Sequence, residues 1–98
     1  MLVAATLSGG SETEQSDEFA SHAMEILSSS NNGTLIRNFT YLFKKKCPGV
    51  KVTWYNYCAI DFTFEGRRYR LNMDFMTGAD NYYRYMGVRS CKDITPKK

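Results

Sequence analysis

The sequence predicts an α+β domain, with two N-terminal helices packed on one face of a three- or four-stranded antiparallel meander sheet. Three observations predict it. Apolar residues recur at helical spacing in two runs before residue 47, they alternate with polar residues after residue 49, and turn-forming residues separate the runs. At 98 residues, 43% hydrophobic and 23% charged, the chain has the size and composition of one small globular domain, not of a disordered segment.

Residues 8–15 are rich in Ser, Gly, Glu and Thr and carry no hydrophobic period, so residues 1–15 read as a flexible lead-in to a single domain over 16–91. The first helix has two candidate starts: Ser11, which stands at capping-box spacing from Glu14, and Ser16, which is nearer the first apolar residue. Phe19, Ala20, Ala23, Met24 and Leu27 then build one apolar stripe, with Glu18 and Glu25 off it. Residues 28–33 (Ser-Ser-Ser-Asn-Asn-Gly) break the helix. Leu35, Ile36, Phe39, Leu42 and Phe43 define a second helix over 34–46, which Pro48-Gly49 ends. Lys44, Lys45 and Lys46 fall in its last turn, where cations meet the partial negative charge of the free carbonyls.

In the β region, a two-residue turn at Glu65-Gly66 pairs Phe64 with Arg67, Phe62 with Tyr69, Ile60 with Leu71 and Cys58 with Met73, which puts the apolar residues of both strands on one face. A one-residue slip destroys that match. A three-residue loop of Tyr55, Asn56 and Tyr57 is expected to pair Val52 with Ile60. The inner face then holds Val50, Val52, Trp54, Ile60, Phe62, Tyr69, Leu71, Met73 and Phe75, and the outer face Lys51, Thr53, Asp61, Thr63, Arg68, Arg70, Asn72 and Asp74. Residues 81–90 form a fourth strand with imperfect alternation, or a short helix after Asp80, and its edge offers pairing to a second copy of the chain. Residues 92–98 read as a frayed basic tail.

Charge is segregated along the chain. Residues 1–36 carry −5 and residues 37–98 carry +8, an asymmetry that suits either an electrostatic partner or an acidic helix lying on its own basic sheet. No stretch approaches the roughly 20 apolar residues of a membrane span, and the short apolar start lacks a basic leader, so a cytoplasmic protein is expected. Cys47, Cys58 and Cys91 form no CxxC pair and read as reduced thiols, with Cys58 facing the core and Cys47 exposed. His22 is the one histidine and has no nucleophile at a motif spacing; Glu18 and Glu25 are its helical neighbours. Asp61, Asp74 and Asp80 lack calcium-loop spacing. The expectation is a non-enzymatic protein without metal or cofactor.

Two binding readings compete. Cations interleaved with aromatic rings suit nucleic acid, with Lys51, Arg67, Arg68, Arg70, Arg84 and Arg89 meeting phosphates and Tyr55 and Tyr57 stacking on bases. Against it, Asp61 falls between Lys51 and Arg70, where an ion pair consumes charge that a ligand needs. The alternative is a small inhibitor or adaptor, of the kind mobile elements encode, that docks on another protein through Tyr82, Tyr83 and Tyr85 or through the acidic helix.

Overall fold

The computed structural model describes residues 11–29 and 33–96. The first helix, α1 (Glu14–Ser28), starts after Thr13, whose hydroxyl accepts the Ser16 N–H at 3.1 Å, while Ser16 Oγ accepts the Thr13 N–H at 2.7 Å. This reciprocal capping box makes Thr13 the N-cap in place of Ser11 or Ser16, and Ser16 becomes a fully buried third helical residue. Ser11 exchanges two backbone hydrogen bonds with Asp93 (3.0 and 2.7 Å). The expected lead-in therefore gives way to a tied segment at Ser11, and residues 1–10 lie outside the described residues. The buried stripe of α1 is Phe19, Ala23, Ile26 and Leu27; Met24, expected in it, is half exposed, because the helix presents the row one position further round.

Residues 30–32 of the expected breaker lie outside the described residues. Gly33 follows at φ +82°, and a Cβ there would come within 2.5 Å of Met86 Sδ and 3.0 Å of the Tyr85 carbonyl. Only glycine permits this approach, and it lays a two-residue strand, β1 (Thr34–Leu35), against the chain at Tyr85 and Arg84. The second helix, α2 (Ile36–Lys46), thus begins two residues later than the periodicity suggests. It buries Phe39, Thr40 and Phe43, leaves Leu42 exposed, and carries Lys44, Lys45 and Lys46 in its last turn.

The remaining strands are β2 (Lys51–Tyr55), β3 (Ala59–Phe64), β4 (Arg67–Thr77) and β5 (Tyr83–Asp93), and the sheet order is β1-β5-β4-β3-β2 with antiparallel neighbours. The meander extends to five strands because β1 adds to the outer edge of β5. The β3–β4 register matches the sequence reading from Phe64↔Arg67 to Ile60↔Leu71. Its turn has Glu65 at φ 50° and Gly66 at φ 80°, the positive pair a tight hairpin needs.

Two registers differ. Val52 pairs with Phe62, not Ile60, because Thr53 is an extra residue in β2 and Tyr55 pairs with Ile60. The loop is closed by Asn56, whose Oδ1 accepts the N–H groups of Cys58 and Ala59, each at 2.9 Å. Beyond the Thr53 bulge the side chains change face, so Trp54 stands opposite Asp61, outside the core, and is 49% exposed. In β5, Arg89 and Met86 are likewise extra residues against a regular β4.

β5 runs to Asp93, and no helix follows Asp80; a turn does, with Asn81 N–H donating to the Gly78 carbonyl at 2.9 Å. The expected tail is bonded to β4 as far as Ile94, whose N–H donates to Arg68 O, and Thr95, whose hydroxyl accepts the Arg68 N–H. Residues 97–98 lie outside the described residues.

Both helices pack on one face of the sheet around Phe19, Phe39, Phe43, Ile60, Phe62, Tyr69, Leu71, Met73, Tyr85 and Cys91. The Phe19 ring meets those of Phe43, Phe62, Phe64 and Tyr69 edge-on, at centroid distances of 4.9 to 6.1 Å. Phe75, expected inside, packs on Tyr57 and Tyr83 and is 44% exposed. Phe19→Ala should cost about 3–5 kcal/mol in urea denaturation.

Asp93 generates a second prediction. It is buried, and accepts hydrogen bonds from Arg67 Nε and the Thr95 N–H. Burial pushes its carboxyl up, but the hydrogen bonds outweigh burial and hold it below its ordinary value. A depressed carboxylate contributes stability above its unfolded value of about 3.9, and that stability is lost as pH falls through the folded value. Asp93→Asn should therefore lower Tm at pH 7 and flatten its decline below about pH 4, as read by circular dichroism.

Candidate nucleic-acid interface

With both helices on one side, the opposite face of the sheet carries no described element, and strand pairing dictates which side chains share it. Cross-strand partners Lys51, Thr63 and Arg68 form one row over β2, β3 and β4. Trp54, Asp61, Arg70 and Lys92 form the next, over β2 to β5. Asn72 and Ser90 continue the face, joined by a side-chain hydrogen bond of 3.1 Å. Each step across the sheet is about 4.8 Å, so Lys51 and Arg68 stand about 10 Å apart and Trp54 and Lys92 about 14 Å apart at the backbone.

The electrostatics of the face are set by a few ion pairs. Asp61, itself buried, accepts from Arg70 Nε at 2.7 Å and from its second terminal nitrogen at 2.9 Å, a two-point bond that fixes the guanidinium plane and raises its already high pKa. Arg89 pairs with Asp74. Lys51, Arg68 and Lys92 have no carboxylate partner among the described residues. These three are the cations a ligand can use without first breaking an ion pair.

The sequence-derived candidates divide accordingly. Lys51, Arg68 and Arg70 share the outer face as expected, but Lys51 stands opposite Thr63, and Asp61 lies between Trp54 and Arg70 instead of between Lys51 and Arg70, because the β2 register differs. Arg67 shares the helix side with Phe64 and binds Asp93. Arg84 lies opposite Met76, six residues along β4 from Arg70 and so about 20 Å away. It is held by Asp80, whose carboxyl sits at about 2 because Arg84 and the Tyr82 N–H bond to it. Arg89 is the bulged residue beside Asp74. Tyr55 pairs with Ile60, and Tyr57 packs on Phe75 and Tyr83, so neither ring is in the basic rows.

Two residues of the face were missed. Trp54 is delivered by a bulge that alternation cannot reveal. Lys92 was assigned to a tail, although its position between Cys91 and Asp93, both buried, is the strand alternation that marks it as outward.

No family model, curated protein or solved structure matches the chain. The functional reading therefore rests on the chemistry of its own surfaces. Of the alternative contact residues, Tyr82 is 64% exposed and Tyr83 joins Tyr57 and Phe75 at the β4–β5 hairpin tip. Tyr85 is a core residue instead, with its hydroxyl donating to the Asn56 carbonyl at 2.6 Å.

His22 lies 3.6 Å from Glu25, which Lys46 holds at 3.0 Å, and no group of metal-ligating side chains occurs among the described residues. No described helix is long and apolar enough to cross a membrane. Cys47 is buried, contrary to the sequence expectation, because it caps α2 through its N–H to Phe43 O. Burial pushes the Cys47 thiol up, and the Cys91 thiol up to about 12. A thiol-disulfide reagent at pH 8 should thus label half-buried Cys58 first, with Cys47 and Cys91 reacting only in denaturant.

Proposed function

We propose that this protein binds nucleic acid, without catalysis, through the open face of its sheet. The observation that carries the reading is that Lys51 and Arg68 in one row and Lys92 in the next, free of carboxylates among the described residues, share that face with half-exposed Trp54. Phosphates bound by the three cations release condensed counterions, which makes affinity fall with salt. Arg70 adds less, since its guanidinium already serves Asp61.

For three phosphate contacts, log K against log salt should slope about −2.1 on single strands and about −2.7 on duplex. Anisotropy of labelled oligonucleotides over a salt series measures it. Replacing Lys51, Arg68 and Lys92 together by Gln should bring the slope close to zero, whereas Arg67→Gln, on the other side of the sheet, should leave it unaltered. An unchanged slope in the triple variant counts against this face.

A second reading has its own observation. At the hairpin tip Tyr57 and Tyr83 stack at 4.9 Å with Phe75 against both, yet the three rings stay 42–44% exposed. Such a cluster suits docking on a protein, because rigid rings bury large area at little entropic cost. A protein contact made there survives moderate salt and is lost on Phe75→Ala, a pattern opposite to that of the basic face.

A further inference from the structure

We infer that the ligand of the open face is single-stranded nucleic acid, with a base stacked on Trp54 and the flanking phosphates on Lys51 and Arg68 at one side and Lys92 at the other. The inference rests on the reading above and narrows it. Its grounds are the order of groups across the sheet. The second row runs Trp54, Asp61, Arg70, Lys92, so its ends are an exposed ring and an unpaired cation and its middle is a closed ion pair, while Lys51 and Arg68 stand in the row beside it. A duplex laid across this face would set its charged backbone over the closed Asp61–Arg70 pair, where no free cation meets it. A single strand can place its phosphates on Lys51, Arg68 and Lys92 and turn its bases onto Trp54 and Arg70.

Two flat groups on the face are suited to bases. Trp54 is 49% exposed, and the guanidinium of Arg70 is locked by two bonds to Asp61, leaving a second planar surface about 10 Å from it. Indole rings and guanidinium planes both stack on bases, and only unpaired bases offer their faces. Beside them the Asn72 and Ser90 side chains supply donors and acceptors for base edges. Size argues the same way: four strands present about 14 Å of sheet from axis to axis, and their side chains add to that, whereas the major groove is about 12 Å wide and admits a helix or a two-stranded ribbon. Charge complementarity selects a polyanion; the flat platforms select one with free bases.

Trp54 is the sole tryptophan of the chain, so its fluorescence reports the contact directly. The experiment titrates the full chain at low salt with a 12-mer of deoxythymidine, a 12-mer of uridine, an abasic 12-mer and a duplex of equal length. The expected result is quenching by the two base-bearing single strands, at least tenfold tighter binding of them than of duplex or abasic strand, and about a tenfold loss for Trp54→Ala that Trp54→Phe largely restores. Trp54 lies on an edge strand and is half exposed, so both variants keep the core, and circular dichroism checks this. Duplex or abasic strand bound as well as base-bearing strands, or Trp54→Ala binding like wild type, overturns the single-strand inference while nucleic-acid binding stands. Failure of all four polymers to bind overturns the nucleic-acid reading itself and leaves the aromatic hairpin tip, with a protein partner.

Discussion

The packing of Phe19 is the contact on which the rest of the architecture depends. One side chain from α1 touches rings from α2, β3 and β4, so it fixes where the helical layer sits on the sheet. Lys46 bonding Glu25 closes the helices against each other at their surface, but an exposed pair contributes little beside that ring cluster. Because both apolar stripes are spent on one face, no described helix or strand covers the other. The charge asymmetry follows the same division: the acidic segment became a helix on the far side of the sheet from the basic rows, so α1 does not screen them.

Much of this was legible. The match of apolar positions about Glu65-Gly66 selects the β3–β4 register, since a one-residue slip puts Ile60 and Leu71 on opposite faces. What was not legible traces to single extra residues. Thr53 turns Trp54 outward, and Arg89 and Met86 convert the inward positions of β5 to Tyr85, Val88 and Cys91, spaced by three instead of two. A spacing of three resembles a helical turn, which is why a helix after Asp80 competed with a strand in the sequence. The two-residue β1 has no period at all, and only the close approach at Gly33 explains it.

The candidate site was half readable for a related reason. Arg68 and Arg70 follow from the β3–β4 register, and the Asp61–Arg70 bond was foreseeable from the same pairing, whereas Lys51 faces the expected side in a different register. The remaining arginines looked equivalent in sequence but are not in space. Arg67, Arg84 and Arg89 each found a carboxylate that pairing or a turn placed beside them, so their charge serves the fold. The usable charge is smaller than the net charge of the β region suggests, and it is concentrated.

The bulges also set where the chain tolerates a change of length. Removing a residue within a regular strand shifts every pairing beyond it by one and turns core side chains outward. Thr53, Met86 and Arg89 are the extra residues in their ladders, so loss of any one leaves the flanking partners, Val52 with Phe62 and Trp54 with Asp61, or Met73 with Val88 and Phe75 with Tyr85, still opposite each other. At these three places chain length and register are uncoupled, and a descendant sequence one residue shorter there keeps the same two faces.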